Sequence, residues 1–262
     1  MSYLNSKTIW LTGASSGIGL ALARELANYD VRLILTSRRE EALEEVRNSL
    51  PNSDKHQVLA LDLSQPEAAM AAASEALGDT QIDILINNAG VSQRSLILDT
   101  DLKVYRQLME IDYFGVVALT KLVLPNMVAR KSGHIVTVSS VAGKIGTKLR
   151  SGYSGAKYAV LGFMDSLRAE VAADNISCTS ILPGFINTPV AHNSLTGDGS
   201  ALGEPDQDNA SGMSAEDCAK AIVKAMQQRK DEVVVGKGLS KIAPLIQRIA
   251  PGYVRKMMAK RD

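Results

Sequence analysis

The chain has 262 residues, 45% hydrophobic and 22% charged, an ordinary globular composition long enough to bury a core without disulfides or metal. Its 29 basic and 28 acidic residues leave a formal charge of +1, so neither a basic field for nucleic acid nor the acidic excess of a disordered chain is present. Cys178 and Cys218 lie far apart with no second Cys or His at ligand spacing, which leaves no readable zinc site or disulfide framework and fits a reducing compartment. The opening MSYLNSKTIWLTG passes straight into a strand-like run without a basic and then apolar leader, and no stretch of about 18 apolar residues follows. The expectation is a soluble cytoplasmic protein.

Short apolar runs alternate with longer amphipathic ones along almost the whole sequence, the pattern of βαβ units and a parallel sheet. Strands are predicted at residues 8–11, 31–35, 57–61, 82–86, 134–138, 177–181 and 232–235. They are mostly continuous Val, Ile and Leu, as expected of strands covered by helices on both faces. Ser37-x-x-Glu40, Ser64-x-x-Glu67 and Ser214-x-x-Asp217 have capping-box spacing and mark helix starts. No repeat or linker of domain-boundary length interrupts the series, so residues 1–262 read as one α/β domain, a doubly wound parallel seven-stranded sheet. Residues 188–213, with Pro189, Gly197, Gly199, Gly203, Pro205 and Gly212, form a loop-like stretch of the size usual for a substrate lid. An unimportant floppy insertion is the competing reading.

Ligands of an open parallel sheet bind beyond the carboxyl ends of the strands. After strand one comes TGASSGIG, with Gly13, Ser15, Ser16, Gly17, Ile18 and Gly19 opening a helix. Glycine permits positive φ and close backbone approach, while free amides and the helix dipole favour an anion such as a pyrophosphate. A plain tight turn is the alternative. After strand two, Ser37-Arg38-Arg39 places two cations at a helix start, where the dipole disfavours them. Arginine there suits the 2′-phosphate of NADP, whereas NAD calls for an acidic residue; neutralisation by Glu40 and Glu41 competes with that reading. The remaining edges carry Asp62-Leu63, Asn87-Asn88-Ala89-Gly90, Ser139-Ser140 and Pro183-Gly184.

Tyr153 and Lys157 are four apart and share a helix face, and Ser140 at the preceding strand end is within reach of the same place. Tyrosine titrates near 10 in water, so acid–base work near neutrality asks for about 4 kcal/mol of preferential stabilisation of the phenolate, to which an ammonium contributes. Taken alone, the pair also fits an exposed helix face.

Together these residues resemble the short-chain dehydrogenase/reductase family of NAD(P)-dependent oxidoreductases. The match rests on T-G-x-x-x-G-x-G from Thr12 to Gly19, Asn87-Asn88-Ala89-Gly90, Ser140 thirteen residues before Tyr153, Tyr153-x-x-x-Lys157, and Pro183-Gly184 with Thr188. Tyr113-Phe114-Gly115, Leu167-Arg168-Ala169-Glu170 and Ala250-Pro251-Gly252 are similar to the dehydrogenase/reductase member seven branch. The resemblance implies that Tyr153 is the general acid, that Lys157 assists it and binds the nicotinamide ribose, and that Ser140 bonds the substrate oxygen. It further implies that Asp62 and Leu63 meet the adenine, that Asn88, Ala89 and Gly90 lie beside the adenosine ribose, and that Pro183, Gly184, Ile186 and Thr188 hold the nicotinamide. The expected cofactor is NADP(H) in preference to NAD(H), the substrate a fairly apolar ketone, aldehyde or alcohol, and the assembly a homodimer or homotetramer. A nucleotide-binding scaffold without turnover is the rival reading.

Two departures stand out. Asp112 occupies the place of a family asparagine that helps link the lysine to solvent, so it either does the same work or holds the ammonium more firmly and shifts the pH optimum. Ser15 stands where many NADP-binding relatives carry a basic residue, so the cofactor preference rests on Arg38 and Arg39. Finally, residues 237–262 carry seven of the basic residues (Lys237, Lys241, Arg248, Arg255, Lys256, Lys260, Arg261) and one acidic, leaving about −5 on the rest. With Leu245, Ile246, Ile249, Val254, Met257 and Met258 between the charges, this tail reads either as a peripheral membrane contact or as helices packed on their own subunit or a partner.

Overall fold

The structure is a computed structural model describing residues 2–188, 192–204 and 211–260. The expected apolar runs form β1 (Lys7–Thr12), β2 (Val31–Ser37), β3 (Gln57–Ala60), β4 (Ile84–Asn87), β5 (Gly133–Val138) and β6 (Ile176–Pro183); then come β7 (Ile186–Asn187), β8 (Met213–Ser214) and β9 (Glu232–Val235). Seven of them make one parallel sheet in the order β3-β2-β1-β4-β5-β6-β9, while β7 and β8 pair separately. The order reverses between β1 and β4, the point at which an open sheet leaves a crevice at its carboxyl edge.

The helices are α1 (Gly17–Leu26), α2 (Glu40–Ser49), α3 (Pro66–Leu77), α4 (Leu102–Met109), α5 (Gly115–Ala129), α6 (Ser151–Glu170), α7 (Ala215–Gln227), α8 (Leu239–Ile249) and α9 (Pro251–Ala259). Strand side chains alternate between two cores. Ile9, Leu11, Leu33 and Leu35 face α1 and α7 with Cys218 and Ile222, whereas Trp10, Ile34, Leu85 and Ile135 face α3, α5 and α6 with Leu119 and Met164. Trp10 is fully buried and donates its indole N–H to Thr36 Oγ1 at 2.9 Å, so it serves the core. Burial pushes the Cys178 and Cys218 thiols up to about 11 and about 12, which leaves both unreactive near neutrality.

Of the three expected capping serines, only Ser214 caps, accepting the Asp217 amide at 3.1 Å. Pro66 fixes the first turn of α3 and leaves Ser64 outside it, where its amide bonds Asp62 Oδ1 at 2.9 Å. Ser37 turns its hydroxyl to the Arg39 carbonyl, and α2 begins three residues later at Glu40. Sequence alone shows no long apolar stretch, yet α4, one π-helical turn (Glu110–Phe114) and α5 join into a single 28-residue run, Leu102–Ala129, long and apolar enough to cross a membrane. Its inner side supplies Val104, Leu108, Leu119, Val123 and Met127 to the interior.

Residues 192–204 of the expected lid are tied to the body. Leu195 forms bridges to Gln93 and Ala201, and its amide and carbonyl bond the Ser92 carbonyl and the Arg94 amide at 2.8 Å each. Asp198 closes a turn there by accepting bonds from Thr196 Oγ1 and from the Ser200 amide and hydroxyl, which hold its carboxyl well below the usual range. This pairing disagrees with a floppy insertion for the described part; Pro189 and Pro205 lie outside the described residues.

Candidate active site

A cleft of about 1220 Å³ opens at the carboxyl edge of the sheet over the β1/β4 switch point. Every residue expected to hold the cofactor lines it: the glycine turn after β1, Ser37-Arg38-Arg39 after β2, Asp62-Leu63 after β3 and Asn88-Ala89-Gly90 after β4. Tyr153 and Lys157 on α6, Pro183 and Gly184 after β6, Ile186 and Thr188 complete the set.

The turn has the build of an anion site. Gly13 and Gly17 sit at φ +68° and +54°, and a Cβ on Gly13 would lie 2.8 Å from the Ala89 backbone. A Cβ on Gly19 would collide with the Gly13 carbonyl oxygen. Thr12 Oγ1 takes the Asn88 and Ala89 amides at 3.0 Å each, and Asn88 Nδ2 donates to the Thr12 carbonyl at 3.0 Å, so the ends of β1 and β4 are locked together. Ser16 precedes α1 in extended conformation without capping it by its side chain, which leaves the dipole and first amides of α1 turned to the cleft. These residues fit a dinucleotide pyrophosphate.

At the other end, Arg38 and Arg39 are exposed, and neither forms an ion pair among the described residues, so Glu40 and Glu41 do not neutralise them there. Arg38 therefore keeps a guanidinium available for a phosphate or a ribose hydroxyl. Asp62 is exposed, its carboxylate oriented by the Ser64 amide.

The acid–base group converges on one wall. Ser140 accepts the Ala142 amide at 3.1 Å and donates to the Pro183 carbonyl through a long 3.4 Å contact. Lys157, only 4% exposed, donates to the Val138 carbonyl at 3.2 Å, and its Nζ stands 5.7 Å from the centre of the Tyr153 ring. Asp112 comes close to this group but does not line the cleft. It is fully buried within the π turn, with Oδ1 3.9 Å from Lys157 Nζ and 2.9 Å from the Val91 amide. Burial pushes its carboxyl up to about 6 against the opposing pull of Lys157 and that amide, and Oδ2 makes no hydrogen bond.

Sequence reasoning did not find Gln93, which is fully buried. Its Oε1 accepts the Gly152 and Tyr153 amides at 2.7 and 3.3 Å, while Nε2 donates to Ser95 and Thr100 hydroxyls. It therefore holds the start of α6, and with it Tyr153. Nor did the sequence place the tail in the site: Leu239, Ala243, Met257 and Met258 wall the cleft beside Val141 and Ile145.

The short chain dehydrogenase family matches residues 7–198. The chain is a short-chain dehydrogenase/reductase. Dehydrogenase/reductase SDR family member 7B of Mus musculus is 42% identical over 266 residues, covering 99% of this chain and 82% of that protein. A dehydrogenase/reductase SDR family protein 7-like of Drosophila melanogaster is 40% identical, covering 98% and 81%. Among solved structures, a Sphingobium yanoikuyae short-chain dehydrogenase in complex with NADPH shares 25% identity and a TM-score of 0.78, covering 98% of this chain and 96% of that one. A Burkholderia phymatum member in complex with NAD shares the fold at TM-score 0.83 and 22% identity, with coverages of 100% and 99%. The protein is thus an oxidoreductase of the family that interconverts CH–OH and C=O groups with nicotinamide cofactors.

Proposed function

We propose that this short-chain dehydrogenase/reductase is an NADP(H)-dependent carbonyl reductase, working equally as an alcohol dehydrogenase, on a fairly apolar ketone, aldehyde or alcohol. The observation that carries the reading is the placement of Tyr153, Ser140 and Lys157 on one wall of the cleft whose far end presents Arg38. When bound, NADPH supplies the hydride that reaches the carbonyl carbon. Tyr153 gives its hydroxyl proton to the carbonyl oxygen as charge develops there, and takes it back in the alcohol-oxidising direction. Ser140 Oγ exchanges its long contact with Pro183 for a hydrogen bond to the same oxygen. Lys157, fixed by Val138 and next to Asp112, holds its ammonium beside the Tyr153 ring, where it would bond the ribose hydroxyls of a bound nucleotide.

Val141, Ala142, Ile145, Leu195, Met257 and Met258 line the substrate end of the cleft, which supports an apolar substrate. Arg38 supports NADP(H) over NAD(H). A homodimer or homotetramer is part of the same reading, supported by Phe114 on the π turn and Tyr158 on α6, 45% and 44% exposed, as is a cytoplasmic site of action. Titration of the purified protein with NADPH and, separately, NADH, followed by nicotinamide fluorescence, tests the assignment. Tight NADPH binding with weak NADH binding supports it; equal affinities remove the role of Arg38, and binding of neither returns the scaffold reading.

A further inference from the structure

The C-terminal tail has two unlike faces. Its inner face packs on its own subunit: Ala243, Ile246 and Val254 join Val141 and Ile145 in a small apolar cluster, and a Cβ on Gly184 would lie 2.5 Å from Ser240 Oγ. Its outer face is uncovered by any described residue. Leu239, Ile242, Leu245 and Ile249 recur at spacings of three, three and four along α8, which puts them on one side of the helix, and they are 48%, 51%, 61% and 75% exposed. Tyr253, at the start of α9, is a further exposed aromatic, at 63%.

We propose that this outer face of α8 docks on an anionic lipid bilayer. Lys241 and Arg248 are seven apart and exposed, so they run along one border of the apolar stripe, and Arg255 and Lys256 add two exposed cations past Pro251. From Lys237 to Arg261 the sequence holds no acidic residue, although the rest of the chain is net negative. The positive field is therefore local and shares a side with the apolar stripe, the combination that an interfacial helix presents to acidic headgroups with acyl chains beneath. A second copy of this chain complements the face poorly. A two-fold contact through the same patch would bring the two cationic borders together.

The same helices wall the cleft through Leu239, Ala243, Met257 and Met258, so the docked stripe, which includes Leu239, borders the substrate end of the cleft. Docking stands without the reductase reading; entry of an apolar carbonyl compound from the bilayer into the cleft rests on it. The test is co-sedimentation of the full chain with phosphatidylglycerol-containing and pure phosphatidylcholine vesicles, with NADPH binding measured in parallel on every variant as a check of the folded site. Binding to the acidic vesicles that is released by raised salt and falls at least about tenfold in Leu245→Glu/Ile249→Glu supports the proposal. Should that variant misfold, Lys241→Glu/Arg248→Glu at the exposed border is expected to give the same loss. No binding by the intact chain, or undiminished binding by the folded variants, overturns it. A shift from dimer to monomer in the variants without vesicle binding in the parent would assign the face to a second copy instead.

Discussion

Asp112 Oδ1 lies 3.9 Å from Lys157 Nζ, and Gly90 packs against both: a Cβ there would stand 2.7 Å from the carboxylate and 3.1 Å from the ammonium. The family asparagine contributes a neutral amide at this place, so this chain keeps an acid next to the lysine of its proposed proton donor. The π turn at Glu110–Phe114 sets Asp112 into that position, a local widening of the kind often found at functional sites.

Asp112→Asn is expected to change the pH dependence of stability. With its carboxyl pushed up to about 6 by burial, the folded chain holds this proton at pH values where the unfolded chain has released it. The group's contribution thus favours the fold below pH about 4 and is lost as pH rises through about 6, a change of about 3 kcal/mol. Urea unfolding between pH 4 and 8 should show that decline in the parent and its absence in Asp112→Asn. The variant's pH–rate profile should likewise lose an inflection near pH 6; superimposable profiles would mean that the carboxylate does no more than the amide.

Arg38→Ala should separate the two nucleotides. A charge-assisted contact to a phosphate is worth about 1.5–3 kcal/mol, so NADPH affinity should fall roughly ten- to a hundredfold while NADH affinity stays within about twofold. Fluorescence titration of both cofactors measures this, and equal losses would show that Arg38 does not read the 2′-phosphate.

Gln93→Ala removes the acceptor for two amides at the start of α6. Leaving buried donors unpaired should cost about 1–3 kcal/mol of stability per group, and looser placement of Tyr153 should lower kcat by about ten- to a hundredfold. Nucleotide affinity at the glycine turn should be unchanged. A variant that is less stable but turns over normally would make Gln93 purely structural.

Gly19→Ala places a methyl against the Gly13 carbonyl, and neither atom belongs to a flexible side chain. The turn must open, so NADPH affinity should fall by more than about tenfold in a chain that keeps its circular dichroism spectrum. Undiminished affinity would remove the close backbone approach from the account of this site.

The sheet was legible because its strands are continuous apolar runs and its strand ends are small and polar, a contrast that local composition carries. All seven predicted strands pair in the parallel sheet. Less visible was what depends on distant partners. Ser64 has capping-box spacing, yet Pro66 fixes where α3 begins. The side chain of Gln93 reaches across the fold to Gly152, 59 residues away, a relation that no local pattern encodes. Asp112 stood out as a departure from the family, but its place against Gly90 follows from the packing of the π turn. The tail's amphipathic pattern is clear in sequence, whereas its role as a wall of the cleft emerges only when Ser240 meets Gly184.

The most direct measurement is NADPH oxidation with a panel of apolar ketones by the parent chain and by Tyr153→Phe, alongside NADPH affinity for both. The expected result is turnover by the parent on at least one ketone and, in the variant, unchanged nucleotide affinity with a rate lower by about a hundredfold or more. Turnover by Tyr153→Phe at the parent's rate would contradict Tyr153 as the proton donor.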